Sequence, residues 1–487
     1  MCCKFEKVIT MTLMLMVLLY CPQVSADIQH SHSSCILLGP KPSFIIKLRH
    51  FPSQFIVHKQ LNHEDLDDVL IPGITFTHVR RMCQEDYIVY LKPEKPSTVL
   101  LQEQPLGSGC YSQKTLSEIV AKIKKSPMIA EITPNFLSSI MEFHQKNSSS
   151  QWNLQAPPGG IDAETTWVDF TTSGPQVTIA VLDTGIMNHD ALNTNILKGV
   201  HFTDNGSSGL GATPSCMQCA GYNHGTFVAG IIAATGTSAY GETVFGVAPN
   251  STIFPINVFT KFTDAKTCGF PPCLLSYLSD QINALHWLAG NDFPNLNSPP
   301  STIVGINMSL GNVTTCPEVA QNALNQVQKN GLSVIVAAGN QNNDAARDYP
   351  ANCSGVIAVA ATGPFGERAS YSNWGSTVTI AAPGGNGQNG SIYSTIGDAY
   401  AYKQGTSLAA PHVSGIIALL YSIDPTLDPI KVKEIITAQD ALTPFPSTEN
   451  LPTSTFSCMD AHFPEKSCGT GIINAYKSAQ KLRDGSW

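Results

Sequence analysis

Five stretches of the chain are apolar at nearly every position rather than at every second one: 177–182, 252–258, 302–308, 333–338 and 356–361. Continuous β-branched and apolar runs of this length suit a parallel strand covered on both faces. Between them lie segments with apolar residues at helical spacing, among them 274–289, ended by Gly290, and 317–330, ended by Gly331. Strands alternating with helices predict an α/β fold, a doubly wound parallel sheet. In such sheets function gathers at the carboxyl ends of the strands. One further run follows Gly405-Thr406-Ser407, where Leu408, Ala409, Ala410, Val413, Ile416, Ile417, Leu419 and Leu420 leave hardly any polar face. That pattern predicts a helix buried inside a large domain. Pro411 is tolerated in a first helical turn, which places Ser407 at the helix N-terminus.

The first 150 residues are patterned differently. Strands are expected at 44–48, 87–91 and 129–133, and 115–125 reads as an amphipathic helix with Leu116, Ile119, Val120 and Ile123 on one face. Residues 27–150 thus form a small α+β domain, and 151–487 the large one. The stretch 142–150 is polar and serine-rich, a linker open to proteolysis. Residues 1–26 carry Lys4 and Lys7, then the apolar run 9–20, then Val24-Ser25-Ala26. The run is too short to cross a bilayer, and the small residues after it suit a signal peptidase, so a secreted protein is expected.

Charge changes this picture little. A net charge of −8 with no lysine or arginine run argues against nucleic acid as a partner. No membrane association is expected, and the protein is expected to be a monomer.

Cysteine changes it more. Of 14 cysteines, Cys2, Cys3 and Cys21 leave with the leader, and Cys35, Cys83 and Cys110 lie in the small domain. The other eight suggest up to four disulfides in an exported protein. Cys316–Cys353 and Cys458–Cys468 are expected. Cys216, Cys219, Cys268 and Cys273 are expected to bridge two loops as Cys216–Cys268 and Cys219–Cys273. Their spacing would also suit zinc, but an oxidising compartment favours disulfides.

Three polar residues stand where strands end or helices begin: Asp183 after the first run, His224 in His224-Gly225-Thr226, and Asn340 after Ala337-Ala338-Gly339. Singly, each is an ordinary turn or cap residue. With Ser407, in the order Asp, His, Ser, they have the parts of an activated nucleophile and an oxyanion donor. An α/β-hydrolase esterase would need Gly-x-Ser-x-Gly and the order Ser, Asp, His, neither of which is present. A non-catalytic binding module on a retained fold is disfavoured because all four residues are in place.

From 151 to about 475 the chain resembles the subtilisin-like serine proteases, most closely their extracellular bacterial branch. The resemblance is carried by Val181-Leu182-Asp183-Thr184-Gly185-Ile186, His224-Gly225-Thr226-Phe227-Val228-Ala229-Gly230, Gly246-Val247-Ala248-Pro249-Asn250, Asn307-Met308-Ser309-Leu310-Gly311, Ala337-Ala338-Gly339-Asn340 and Gly405-Thr406-Ser407 through Gly415. It implies that Ser407 attacks a peptide carbonyl, His224 moves the proton, and Asp183 orients His224. Asn340 and the Ser407 N–H would hold the oxyanion. Ser309, Leu310 and Gly311 would pair with an extended substrate, and with Ala337, Ala338 and Gly339 wall the pocket for the side chain before the cut. Small uncharged walls imply broad specificity with an apolar preference. The segment before 151 is similar to the family's inhibitor prodomain in length and placement.

Three departures matter. Phe227 and Leu408 replace a common His and Met. In Asn188-His189-Asp190-Ala191-Leu192, Ala191 stands where many members have a calcium-binding Asp. The chemistry needs no cofactor, and any structural calcium would have ligands the sequence does not name. A domain tethered through a polar tail to such an enzyme predicts intramolecular processing. The cut is expected between Ser138 and Gln151, with the freed domain remaining as an inhibitor.

Overall fold

The computed structural model describes residues 151–485 except 171–175, 193, 237–242, 269–270, 388–389, 453–455 and 459–466. Before 151 it describes 35–37, 43–48, 76–81, 86–91, 110–112, 116–117, 120–121, 123–124, 129–140 and 143–144. The expected leader, Cys83 and the tail 145–150 lie outside the described residues.

Strands β1 (Ser43–Leu48), β2 (Phe76–Arg81), β3 (Asp86–Leu91) and β4 (Ile129–Pro134) form an antiparallel sheet in the order β2-β3-β1-β4. Three of these strands stand where the apolar runs predict them; β2, Phe-Thr-His-Val-Arg-Arg, has too few apolar residues to announce itself. Residues 116, 117, 120, 121 and 123 are helical, with Leu116 and Ile123 buried as the amphipathic pattern requires. The chain then continues into β5 (Leu137–Ile140) and β6 (Phe143–His144), which pair with the C-terminal part of the molecule instead.

That part begins with β7 (Thr178–Asp183), β8 (Val200–Thr203), β9 (Ser207–Leu210), helix α1 (His224–Ala233) and β10 (Thr252–Asn257). Next come β11 (Cys273–Tyr277), α2 (Leu278–Leu288), β12 (Ile303–Met308), β13 (Leu310–Val313), α3 (Glu318–Lys329) and β14 (Ser333–Ala337). The rest comprises β15 (Asp348–Tyr349), β16 (Ile357–Thr362), β17 (Ile380–Pro383), β18 (Ile392–Ile396), β19 (Ala399–Gln404) and α4 (Thr406–Ile423). The large sheet runs β9-β8-β10-β7-β12-β14-β16-β17, followed by the short strands Ile472–Ile473 and Leu442–Thr443. It is parallel except at β9 and Leu442–Thr443 on its two edges. The five continuous apolar runs are its five central neighbours, β10-β7-β12-β14-β16.

Their two-residue period explains the sequence pattern. Ala180 and Leu182 of β7 face one core, with α2 and α3, while Ile179 and Val181 face the other, with α1 and α4. β14 and β16 divide in the same way, so the interior positions of these strands are apolar and their polar residues, Thr178, Asp183, Ser333 and Thr362, stand at the strand ends. The predicted helix 274–289 is shorter than its pattern. Residues Cys273–Tyr277 are a strand because 273–275 pair with Thr260–Phe262 and 276–277 with β5, and the helix starts at Leu278.

Cys316–Cys353 and Cys458–Cys468 are bonded as expected. The other pairing is corrected: Cys216 bonds Cys219 and Cys268 bonds Cys273. The turn that returns the Cys219 N–H to the Cys216 carbonyl brings the two Cα atoms to 5.5 Å, and 268 and 273 stand 5.6 Å apart. Both distances are ordinary for a disulfide, so each loop closes on itself. The bridge spanning 37 residues constrains the unfolded chain most. Replacing Cys316 and Cys353 together by serine should cost about 3–4 kcal/mol in denaturant melts, more than the same change at Cys458 and Cys468, at about 2–3 kcal/mol.

Candidate active site

Asp183 is the last residue of β7 and is fully buried. Its oxygens lie 2.7 and 2.9 Å from Nδ1 of His224, and the Thr184 N–H donates to Oδ1 at 2.7 Å. A carboxylate only accepts, so Nδ1 carries the proton and Nε2 is the basic nitrogen of the ring. His224 opens α1, whose first turn is drawn onto the end of β7. The Gly225 N–H donates to Thr184 Oγ1 at 3.1 Å, and that hydroxyl donates to the Tyr222 carbonyl at 3.2 Å. A Cβ on Gly225 would stand 2.3 Å from the Gly185 carbonyl oxygen, so the approach requires glycine.

Ser407 is the second residue of α4, as its sequence setting implies. Pro411, however, lies in the second turn rather than the first, because the helix already begins at Thr406. It therefore offers no N–H to the Ser407 carbonyl four residues back. Ser309 Oγ supplies the missing donor at 2.7 Å, and Asn307 Nδ2 donates to Ser309 Oγ at 2.9 Å. Ser309 is thus more than a wall of the cleft: it ties the strand edge to the helix that carries Ser407.

Asn340 lies just beyond β14. Its Oδ1 accepts from the Thr406 N–H at 2.9 Å and from Thr406 Oγ1 at 2.8 Å, and Oγ1 in turn accepts from the Gly339 N–H at 3.1 Å. With Oδ1 so engaged, Nδ2 is the donor end of the side chain, beside the N-terminus of α4. The two helix starts meet through Phe227 and Leu408, which share a small buried cluster with Ile231 and Ile392. The family departures at 227 and 408 are therefore one packed contact. Lys403, missed in the sequence, is buried with its Nζ 5.1 Å from the centre of the Phe227 ring and donating to Asn223 Oδ1 at 3.1 Å. An isolated lysine in a tyrosine-rich run gave no signal for this.

The cleft beside these groups is filled by the chain itself. β5 lies between β11 and β13, antiparallel to both, with Ile140 opposite Leu310, Ser139 opposite Gly311, Ser138 opposite Ser276 and Leu137 opposite Tyr277. Beyond the start of α4, Phe143 pairs with Gln404 and His144 with Lys403, at the end of the strand that leads into Ser407.

Behind Ala338 stands a second residue that the sequence did not announce. Asn373 Nδ2 donates to the Ala338 carbonyl at 3.1 Å and to Asp348 Oδ2 at 3.0 Å. Asp348 is 2% exposed, and burial pushes its carboxyl up to about 7 against the opposing pull of Arg347 and Asn373. A raised folded pKa means that the folded state binds an extra proton between the unfolded value and 7. Stability therefore falls as pH rises from about 4 to 7 and stays reduced above it. Asp348→Asn keeps the acceptor for Asn373 and removes the charge. Urea melts should show it more stable than wild type at pH 8 by on the order of 1–3 kcal/mol, with the gain shrinking towards pH 4.

Among the described residues no group of three or more His, Cys, Asp or Glu side chains is arranged to hold a metal ion. In the loop where the calcium Asp is replaced, His189 makes the closing contacts: Nδ1 accepts from the Ala191 N–H at 3.1 Å and Nε2 donates to the Ala399 carbonyl at 2.9 Å.

Comparison with known proteins gives the family. The chain is 34% identical over 354 residues to an extracellular protease of Xanthomonas campestris, an alignment covering 67% of this chain and 55% of that protein. It is 35% identical over 313 residues to an extracellular basic protease of Dichelobacter nodosus, covering 57% and 48%. The chain thus spans about half the length of these relatives. A solved protease of Pseudoalteromonas arctica superposes with a TM-score of 0.54 at 32% identity, over 68% of this chain and 97% of that one. The epidermin leader peptide processing serine protease of Staphylococcus aureus, at 19% identity and a TM-score of 0.60, shares the fold over 90% of this chain and 99% of its own. The family model for subtilases, peptidase family S8, matches residues 174–452, more than half of the chain, and the protein belongs to the subtilase family.

Proposed function

We propose that this chain is a secreted serine endopeptidase made as a zymogen that cuts itself. Ser407 Oγ attacks the carbonyl of the scissile bond, His224 Nε2 takes its proton and returns it to the leaving amine, and Asp183 holds the ring and stabilises its cation. The Ser407 N–H and Asn340 Nδ2 receive the oxyanion, at a helix start whose dipole favours negative charge. The buried Asp183–His224 pair and the engaged Oδ1 of Asn340 support these roles. Relatives named extracellular proteases support export.

The observation that carries the zymogen reading is the pairing of residues 137–140 and 143–144. β5 adds a strand between β11 and β13 in the manner of an extended peptide bound by main-chain hydrogen bonds, and β6 pairs with the end of β19, just before the helix that carries Ser407. The bond to be cut then lies between Ile140 and Phe143, a narrower interval than 138–151. After cleavage the N-terminal part remains the enzyme's own inhibitor until it is degraded, because β5 keeps its ladder in the cleft. The small walls Ala337, Ala338 and Gly339 support an apolar preference before the cut, and the neutral form of Asp348 below about pH 7 is compatible with it. In the loop 188–192 the hydrogen bonds of His189 hold the chain, so no calcium is needed there.

Expression in a protease-free system should give a mature chain whose N-terminal residue is Met141, Glu142 or Phe143. Ser407→Ala should give only the uncut precursor. A mature N-terminus elsewhere, or maturation of the Ser407→Ala chain, would contradict this reading. Melting temperatures should be lowered by His189→Ala, and Asp190→Ala should leave the response to chelator unchanged; a chelator-induced drop that Asp190→Ala abolishes would restore a calcium site to that loop.

A further inference from the structure

Two residues upstream of β5 are held more closely than strand pairing demands. Asn135 is fully buried and Phe136 is 2% exposed, although both belong to the segment that maturation would release. Helix α2 starts beside them, and its N-cap residue Tyr277 makes no side-chain cap. The first-turn donors are satisfied from outside the helix. The Leu278 N–H donates to the Phe136 carbonyl at 2.8 Å, and the Ser279 N–H to Asn135 Oδ1 at 2.8 Å.

The other end of the Asn135 amide is matched as well. Its Nδ2 donates to Asn205 Oδ1 at 2.9 Å, an oxygen that also accepts from Ser279 Oγ at 2.7 Å. Asn205 sits in a turn with φ 58°, and its N–H donates to the fully buried Asp280 carboxylate at 3.0 Å. The turn and the helix start are therefore fixed to each other. The Phe136 ring meets the Tyr349 ring edge-on with centroids 5.3 Å apart, and Asn312 Nδ2 donates to the Leu137 carbonyl at 2.9 Å.

We propose that the catalytic part carries a distal peptide subsite, built from the first turn of α2, the Asn205 turn and Tyr349, for an asparagine followed by an aromatic residue. On the chain's own tail the asparagine lies six to eight residues before the bond cut, and the aromatic residue one nearer. The subsite demands an acceptor for the Ser279 N–H and a donor for Asn205 Oδ1 on one short side chain. A carboxamide meets both, whereas a carboxylate sets an oxygen against an oxygen at Asn205. The aromatic that follows fills the space against Tyr349. Extended polypeptides with this pair at this distance are the favoured substrates, and the same contacts retain the released tail. The proposal rests on the reading of residues 137–144 as the bound substrate segment.

The test has two arms. In the first, a quenched fluorescent peptide of residues 133–143, Thr-Pro-Asn-Phe-Leu-Ser-Ser-Ile-Met-Glu-Phe, is compared with versions carrying Ala or Asp for Asn and Ala for Phe, using the enzyme that the wild-type chain matures into. Each change should raise KM about 5- to 50-fold with kcat nearly unchanged, since one or two buried hydrogen bonds or a ring contact are lost. In enzyme carrying Asn205→Ala, the difference between the Asn and Ala peptides should collapse. Equal KM values for all peptides with wild-type enzyme would overturn the subsite while leaving the peptidase reading intact. The second arm needs no activity: amide exchange is followed in the full-length Ser407→Ala chain with and without Asn135→Ala. Exchange at Leu278 and Ser279 should accelerate, and unchanged exchange there would overturn the proposal whether or not the protein cuts peptides.

Discussion

Pro411 has no N–H to give, so the carbonyl of Ser407 has to find its partner outside helix α4. It finds Ser309 Oγ at 2.7 Å, on the residue between the central strand β12 and the cleft strand β13. Asn307 donates to that hydroxyl, and Ser414, one turn further along α4 from Ala410, donates to Asn307 Oδ1 at 3.0 Å. The ring of bonds closes on the helix from which it started. A defect that proline imposes on a helix interior thereby fixes α4, which carries Ser407, to the strand on which β5 lies. A buried carbonyl left without a donor costs on the order of 1–3 kcal/mol, so helix and edge are hard to displace separately.

Around that junction the sheet does the positioning. Its parallel strands bring Asp183, Ser309 and Asn340 to one edge, and two buried helices bring His224 and Ser407 to the same edge. The helices touch through Phe227 and Leu408, and α1 closes on β7 through a glycine. An adaptable loop would give none of this fixity, and a charge-stabilised nucleophile depends on it.

Much of this was legible in the sequence because burial on both faces writes itself as unbroken apolar runs. The five central strands, α3 and α4 and the polar residues at their ends are all announced by that pattern. The four site residues carried a further signal in their order along the chain. What escaped depended on tertiary partners. Residues 274–277 read as helix, but the strands 260–262 and 137–140 that make them a strand are distant in the sequence. Cys216 and Cys219 could be assigned to each other only once the turn between them was known. Asp348 and Lys403 have unremarkable neighbours in the sequence, and their burial comes from elements distant along the chain. Asn135, between the expected strand 129–133 and the linker 142–150, carried no signal in the sequence, and its amide became informative only against α2.

Under the proposed function, the edge on which the chain's own 137–140 strand lies is also the one that an extended substrate would join. All of it presupposes that Ser407 is a nucleophile activated by His224. The most direct measurement is covalent labelling of the purified protein with an organofluorophosphate, followed by mass-spectrometric location of the adduct. The account predicts one adduct, on Ser407, formed rapidly in wild type and lost in His224→Ala. Labelling of another residue, or equally fast labelling of Ser407 in His224→Ala, would contradict it.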